Sequence, residues 1–315
     1  MNLNEIGSLL KQTFQSWNED KAARLAAALS FYAVFAMAPV LIIALAVAGQ
    51  VLGPVQVQTQ LLNQLTATIG PQGADLIQSM LENARKPADS LVASILALGA
   101  LILGAAGAFG QLQDALNTIW EVRTRTGSAI RRLLAEKFLS FLMVMGLGLV
   151  LLASLIASTA LSALNTSIGG PATPATDILG VINLFVSFGV LALVFAVILK
   201  VIPDVHLRWR DVWPGALLTA VLFTLGKYAI GLYLAHSSVG SAYGAAGSLV
   251  IILLWIYYSA QIFLLGAEFT KVYARRCGSP VRPTLNAQTV TADARAQEGL
   301  SSPPAVQTSG GVASK

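Results

Sequence analysis

A single lysine stands inside an apolar run of this 315-residue chain and is the side chain best placed to do chemistry there. Lys227 is the only charged residue of residues 212–235. An ammonium group inside a membrane is a candidate site for an anionic solute or a lipid headgroup. Its long stem would also let the ammonium reach the headgroups at the nearer membrane surface. The sequence leaves both interpretations open.

Polar and aromatic side chains at the centre of another apolar run could contribute to the same pathway. Tyr257, Tyr258 and Gln261 lie within residues 246–270. Polar atoms at that depth cost free energy unless other helices or water satisfy them. A role in lining a cavity and a role in interhelical hydrogen bonds therefore both remain open. A polar cavity that contains Lys227, Tyr257 and Gln261 would favour the first role.

A proline near the middle of the first apolar run predicts a kink. Pro39 removes one backbone hydrogen bond and clashes with the preceding turn, while Tyr32 lies two turns before it. Broken helices line substrate sites in transporters, but they also occur as plain bends. We therefore take Tyr32 and Pro39 as further candidates for the pathway.

Six apolar runs must position these side chains. Each reaches the roughly 20 residues that a helix needs to cross the hydrocarbon core. The runs are residues 26–52, 91–110, 138–164, 178–202, 212–235 and 246–270. Hydrophobic residues make up 55% of the chain and charged residues 11%, against about 25% charged in an ordinary soluble domain. The sequence predicts an all-α integral membrane protein with six transmembrane helices.

The basic residues predict the orientation of these helices. Of the 20 lysines and arginines, 17 lie in the two tails and in the second and fourth connections. The positive-inside rule then places both termini and the second and fourth connections of this multi-pass protein in the cytoplasm. Anionic lipids at the cytoplasmic face explain the basic surface without a nucleic-acid partner. The bundle is also compatible with a homo-oligomer.

The segments outside the six runs are short. Residues 1–25 carry apolar side chains at helical spacing and predict a cytoplasmic amphipathic helix, after which Asp20 is a candidate cap for the first spanning helix. Residues 54–90 predict an exterior amphipathic hairpin of two helices, broken at Gly70 and Pro71. The membrane domain covers residues 26–275, and residues 276–315 have the composition of a disordered cytoplasmic tail.

Glycines in the second run predict close helix packing. Small side chains let helices approach each other where no hydrophobic effect drives their association. The glycines concerned are Gly99, Gly104, Gly107 and Gly110.

Five motifs in order resemble the YihY/virulence factor BrkB family. They are AALSFYAVFAMAP at 27–39, ALNTIWEV at 115–122, WPGA at 213–216, SAYGAAG at 241–247 and GAEF at 266–269. The matching positions that we single out are Asn117, Trp120, Pro214, Gly215, Tyr243, Gly244, Gly266 and Glu268. The resemblance covers about residues 10–275 and implies a six-helix inner-membrane protein with both termini in the cytoplasm. It assigns no mechanism to any residue.

The sequence argues against an enzyme. Some members of this family have carried the name ribonuclease BN, and a zinc-dependent nuclease needs several histidine and aspartate ligands. Here the two histidines, His206 and His236, are predicted on opposite sides of the membrane. We expect no catalytic residue, metal or cofactor. Two functions remain: a transporter or exporter of an anionic or amphiphilic solute, and a membrane-organising or envelope-integrity protein that transports nothing.

Overall fold

The computed structural model describes residues 3–85, 91–124, 174–236, 246–278, 280–284 and 287–300. These residues form seven long helices, one short helix and four short strands. The helices are α1 (Leu3–Glu19), α2 (Ala22–Leu52), α3 (Pro54–Arg85), α4 (Leu91–Ile119), α5 (Pro174–Val201), α6 (Trp209–His236), α7 (Gly247–Cys277) and α8 (Ala292–Gln297). The strands are β1 (Val122–Thr124), β2 (Val205–His206), β3 (Arg282–Pro283) and β4 (Ala287–Thr289).

Five of these helices coincide with predicted spans. α2, α4 and α6 contain the first, second and fifth apolar runs, and α5 and α7 cover all but one terminal residue of the fourth and sixth. Among the described residues, three stretches are long and apolar enough to cross a membrane: Leu184–Val201, Trp209–Leu232 and Gly247–Cys277. The third predicted span, residues 138–164, lies outside the described residues. The number of spans and their orientation stay predictions.

The segment after α2 corrects the predicted hairpin. α3 is one continuous helix with Pro71 inside it, and the chain reverses into it at Gly53, where φ is 87°. Val57 in its first half and Ile77 and Leu81 in its second half belong to one apolar cluster with residues of α2 and α7. Packing of both halves against the same neighbours offsets the interruption at Pro71, which costs about 3 kcal/mol.

The C-terminal segment also differs from its prediction. β4 pairs antiparallel with β1, with Arg123 opposite Gln288, and β3 pairs with β2, with His206 opposite Arg282. Thr291 caps α8 by accepting a hydrogen bond from the backbone N–H of Ala294. The predicted disorder was therefore wrong for residues 280–284 and 287–300, which the structure describes. These elements are two to six residues long, so they leave no periodic apolar pattern in the sequence.

The apolar core is largest where the helix ends approach these strands. Buried side chains of α2, α4, α5, α6 and α7 form one cluster that also contains Val122, Val205 and Ala287 from the strands. The amphipathic helix α1 packs on α7. This end of the bundle, where α1 meets the start of α2 and the end of α7, positions the polar groups described next.

Candidate functional site

Six charged side chains from four segments of the chain meet at this end of the bundle. We call them the ionic cluster: Asp20, Glu121, Glu268, Lys271, Arg275 and Arg295. Asp20 begins the turn between α1 and α2, Glu121 follows α4, three residues lie on α7, and Arg295 lies on α8. The cluster contains equal numbers of acidic and basic groups.

Lys271 is shared by all three carboxylates. Its Nζ lies 2.8 Å from Oδ2 of Asp20, 3.1 Å from Oε1 of Glu121 and 3.7 Å from Oε2 of Glu268. The Lys271 side chain is only 3% exposed. One ammonium group therefore joins the α1–α2 turn, the end of α4 and the end of α7.

Two arginines complete the neutralisation. The guanidinium of Arg295 donates to Oδ1 of Asp20, and both side chains are buried. Arg275 donates from Nη2 to Oε2 of Glu121 over 2.9 Å, and it is half exposed. Asp20 does not cap α2: the N-cap of α2 is Lys21, with no side-chain cap bond. The predicted capping role is thus replaced by two ionic contacts.

Local backbone geometry directs the carboxylates of the α1–α2 turn and the α4 end into the cluster. Lys21 and Glu121 both adopt positive φ, at 49° and 56°. Non-glycine residues rarely occupy this region, and they do so where the surrounding structure holds them. At both places a helix ends and the chain turns sharply, so the carboxylate faces the last turns of α7.

Glu268 is the least satisfied member of the cluster. Its side chain is 0% exposed, and neither carboxylate oxygen has a hydrogen-bond donor among the described residues. It lies one helical turn before Lys271, on the side toward the centre of α7. A buried carboxylate in this state is costly, because burial removes water without supplying replacement donors.

The two carboxylates outside the spanning helices are held in their charged form. Burial alone would raise the pKa of Asp20, but the ammonium of Lys271 and the hydrogen bonds from Glu268, Lys271 and Arg295 lower it below its ordinary value. Burial likewise opposes the charge on Glu121, and Lys271 and Arg275 lower the pKa of that carboxyl. Both groups stay ionised at neutral pH.

A second polar group of contacts surrounds Asp204, just after α5. Its Oδ2 accepts hydrogen bonds from Asn117 at 2.9 Å, Thr124 at 3.0 Å and Gln113 at 3.3 Å. Its backbone N–H donates to Oδ1 of Asn117 at 2.9 Å, and its carbonyl accepts from the N–H of Thr284 at 3.0 Å. Asp204 thereby ties the end of α4, β1 and the C-terminal segment together. Asn117, taken from the resemblance, has a positioning role here.

Helices α6 and α7 cross closely beside the ionic cluster. A Cβ atom on Gly215 would lie 1.8 Å from Oγ1 of Thr270, and a Cβ atom on Gly266 would lie 1.8 Å from Oγ1 of Thr219. Within α6, Thr219 donates its hydroxyl hydrogen to the carbonyl of Gly215 at 2.7 Å, and within α7, Thr270 donates to the carbonyl of Gly266 at 2.8 Å. Small residues spaced four apart on both helices allow this approach. Gly215 and Gly266 are therefore packing residues.

The pathway candidates lie further along the same two helices. Tyr258 packs its ring on Gly226, where an added Cβ would meet the ring at 2.4 Å. Tyr257 packs against the large apolar cluster. Lys227 is half-buried, lies 5.3 Å from the ring of Tyr228 and has no salt bridge within the described part of the chain. Gln261 is also half-buried. The structure does not bring these side chains to the ionic cluster, and their pathway role stays a prediction.

The glycines of α4 divide into two groups. The ring of Tyr32 lies 2.9 Å from a Cβ built on Gly107, and the carbonyl of Phe35 lies 3.1 Å from one built on Gly104. These two glycines pack against α2. Nothing lies within 4 Å of a Cβ on Gly110.

The remaining candidates have other positions. Trp120 is buried, and its Nε1 has no hydrogen-bond partner among the described residues. Pro214 is half-buried inside α6. The side chain of Pro39, the surroundings of Gly99, and residues Tyr243 and Gly244 altogether lie outside what the structure describes.

Sequence reasoning missed most of the ionic cluster. Glu268 was singled out, but Lys271, Asp20 and Arg295 were assigned only to topology, a helix cap and a disordered tail. The available signal was the spacing of Glu268 and Lys271, which places opposite charges one turn apart at the end of a span.

A pocket of about 230 Å³ adjoins the cluster, lined by Asp114, Thr118, Glu121, Val122, Arg123, Val290, Arg295, Glu298 and Leu300.

These features define a helical membrane protein with a buried charge cluster at one end. The chain belongs to the virulence factor BrkB family, whose sequence model matches residues 13–290. That match extends past α7 and includes β3 and β4.

Curated relatives are named UPF0761 membrane proteins. One from Pseudoalteromonas translucida is 25% identical, over 84% of this chain and 88% of the relative. One from Verminephrobacter eiseniae is 31% identical, over 83% of this chain and 60% of the relative. One from Yersinia pestis is 33% identical, over 65% of this chain and 66% of the relative. The chain thus spans most of the first relative and about 60% of several others, and no solved structure matches it.

Proposed function

We propose that this protein is a transporter or exporter of an anionic or amphiphilic solute, and that the ionic cluster closes the cytoplasmic end of its bundle. The observation that supports this is the position of Lys271, whose ammonium joins the α1–α2 turn, the end of α4 and the end of α7. A contact between three separate segments at a helix end can be opened by movement of any one of them.

The energetics of buried charge favour a gate over a purely structural role. Removing charges from water is expensive, and replacing a buried ionic group by well-packed apolar side chains is often neutral or stabilising. A static bundle would gain little from six charged groups at this place. A gate that hydrates on opening regains the solvation free energy of those groups, so closed and open states can lie close in free energy.

The pathway in this proposal runs through the half of the bundle that contains Lys227. That lysine is 18 residues into α6, about 27 Å from its first residue. In the proposed orientation, with six spans in the inner membrane and both termini cytoplasmic, Lys227 lies in the outer half and attracts anions. The basic residues at the other end contact anionic lipids, and the assembly is compatible with a homo-oligomer.

Reconstitution tests the proposal. We would measure the flux of inorganic phosphate, succinate and lysophosphatidylglycerol across proteoliposomes that contain wild-type protein or Asp20→Asn. Since Asp20→Asn removes the carboxylate that Lys271 and Arg295 share, we expect faster flux of at least one probe. Lys227→Met should reduce that flux. An Asp20→Asn protein that is folded and passes none of the probes would refute transport of these solute classes.

The alternative is a membrane-organising protein, and one observation favours it. α1 exposes Ile6, Leu10 and Phe14 along one stripe, next to the face that buries Leu9 and Thr13. Such a stripe inserts into the interfacial region of a bilayer. If Phe14→Ser abolished the effect of the protein on envelope integrity in cells while flux in liposomes stayed unchanged, the membrane-organising function would replace transport. In either case we propose that the protein has no catalytic activity.

A further inference from the structure

Positive charge without a carboxylate partner collects where α5 ends and α6 begins. Lys200 lies in the last turn of α5, Arg208 and Arg210 flank the first residue of α6, and Arg282 lies on β3. All the ion pairs seen among the described residues involve other groups. We call these four residues, together with His206, the basic patch. The ionic cluster balances its charges, whereas the basic patch carries an excess of positive charge.

Two contacts hold Lys200 within the basic patch. Its ammonium donates to the carbonyl of Leu207 over 2.5 Å and lies 5.1 Å from the centre of the Trp209 ring. Both contacts fix the ammonium beside the residues that join α5 to α6. Neither contact cancels its charge, because a carbonyl oxygen and the face of an aromatic ring carry only partial negative charge.

The pair of strands β2 and β3 places Arg282 beside His206. Burial alternates along residues 205–208, so His206 and Arg208 are exposed on the same side of the chain. Arg282 stands opposite His206 in the antiparallel pair and is exposed as well. Guanidinium groups and an imidazole N–H are donors to phosphate oxygens. Arg282 lies beyond α7, so the C-terminal segment completes the patch.

The two carboxylates nearest in sequence point away from the basic patch. Oδ2 of Asp204 accepts hydrogen bonds from Asn117 and Thr124, so this carboxylate faces the end of α4 and β1. Asp211, in the first turn of α6, is buried, and its carboxyl carbon lies 2.9 Å from a Cβ built on Gly278. Asp211 therefore faces the end of α7. An anion that approaches the basic patch meets neither carboxylate.

An exposed apolar stripe leads from the basic patch along α6. Trp209, Trp213, Leu217 and Val221 follow one another at intervals of four residues and are 36% to 44% exposed. Tryptophan side chains favour the boundary between headgroups and hydrocarbon, and Trp209–Leu232 is long and apolar enough to cross a membrane. Because the basic patch lies at the first residue of this stretch, a bilayer that contains α6 has its phosphate groups at the level of the patch.

We propose that the basic patch binds the phosphate group of an anionic phospholipid, whose acyl chains lie along the apolar stripe of α6. Positive charge and apolar surface adjoin each other here, which fits a lipid better than a soluble phosphate compound. The docked C-terminal segment contributes Arg282, so residues beyond the last spanning helix belong to the site. The inference rests on the membrane placement in the proposed function and does not depend on transport.

Native mass spectrometry of the full-length chain in detergent tests the site. We would titrate the protein with dioleoylphosphatidylglycerol and with dioleoylphosphatidylcholine, which has the same acyl chains and no net charge. Since several cations face one phosphate, we expect the anionic lipid to bind more tightly by about tenfold. A wild-type protein that binds both lipids alike would overturn the proposal.

Single substitutions locate the binding. A basic residue near a bilayer contributes about fivefold in affinity for anionic lipid. Arg282→Gln and Arg208→Gln should each lower the affinity for phosphatidylglycerol by that factor and leave the affinity for phosphatidylcholine unchanged.

Arg123→Gln is the matched control. It removes the same charge from the same end of the bundle, but Arg123 already pairs with Glu298 at 3.3 Å, so the lipid affinity should stay at the wild-type value. Equal losses in Arg123→Gln and Arg282→Gln would overturn the site in favour of diffuse attraction to the whole basic surface.

Glycerol 3-phosphate distinguishes a lipid from a soluble phosphate compound. It carries a phosphate group without acyl chains, so at equal concentration it should not displace phosphatidylglycerol from the protein. Displacement would overturn the lipid assignment and make a soluble phosphate ester the ligand. None of these measurements uses flux, so their failure would leave the test of transport unaffected.

Discussion

The surroundings of Lys271 and Lys227 differ, although the two lysines lie on neighbouring helices. Lys271 touches three carboxylates and is almost fully buried. Lys227 is half-buried, and its Nζ lies 5.3 Å from the centre of the Tyr228 ring. At the level of Lys271 the helices cross on Gly215 and Gly266, whereas a Cβ on Gly231, just beyond Lys227, would meet nothing within 4 Å.

This difference separates a lysine whose charge is neutralised by carboxylates from one that has no carboxylate partner among the described residues. The contacts of α6 and α7 place Gly226 beside Tyr258 and Thr219 beside Gly266. Lys227 is therefore about 15 Å from Glu268 along the helix axis, too far for an ion pair. A cation without a carboxylate partner inside a span is a better candidate for an external anion than one that is already neutralised.

Loss of the shared ammonium should have the largest effect on stability. Lys271→Met leaves three carboxylates facing each other, and breaking a buried ion pair costs about 3–5 kcal/mol. We expect a clear drop in the thermal unfolding temperature of the purified protein in detergent. A Lys271→Met protein as stable as the wild type would show that the cluster is hydrated and not closed.

Overpacking at the helix crossing should come next. Gly215→Ala forces a methyl group against Thr270 and the carbonyl of Gly266, so we expect about 1–3 kcal/mol of destabilisation. Gly231→Ala on the same helix is the matched control and should be neutral or slightly stabilising. Equal effects of the two variants in thermal unfolding would contradict the close crossing.

Acidification should remove the contribution of Glu121 at a predictable pH. Its folded pKa is lowered, so its stabilising effect is complete above its ordinary pKa and is lost as the pH falls through the folded value. The difference in unfolding temperature between wild type and Glu121→Gln should be constant above about pH 5 and shrink below about pH 4. A difference that already shrinks near neutral pH would mean that Lys271 and Arg275 do not lower this pKa.

Replacement of the isolated lysine should have the smallest effect on stability. Lys227→Met removes a charge that has no carboxylate partner among the described residues, so we expect a change within about 0.5 kcal/mol or a slight gain. Under the proposed transport function the same variant loses anion flux in proteoliposomes. A large destabilisation would instead place Lys227 in a structural contact.

Local patterns predicted the helices but not which charges meet. Spacing along one helix is visible in the sequence. It indicated the long apolar runs, the amphipathic residues before the first run and the small residues at Gly104 and Gly107. The predicted break at Pro71 was wrong because packing of both halves of α3 against α2 and α7 outweighs one missing hydrogen bond. Asp20 was assigned to a cap because its distant partners, Lys271 and Arg295, cannot be seen in its local sequence.

Membrane character, helix positions and the basic bias follow from composition and periodicity, since the cost of placing polar groups in hydrocarbon acts on each segment separately. The ionic cluster, the contacts of Asp204 and the docked C-terminal segment join residues up to 275 positions apart. Only the packed chain brings such groups within hydrogen-bonding distance. Whether a charge is buried and paired, like Lys271, or has no carboxylate partner among the described residues, like Lys227, depends on that packing.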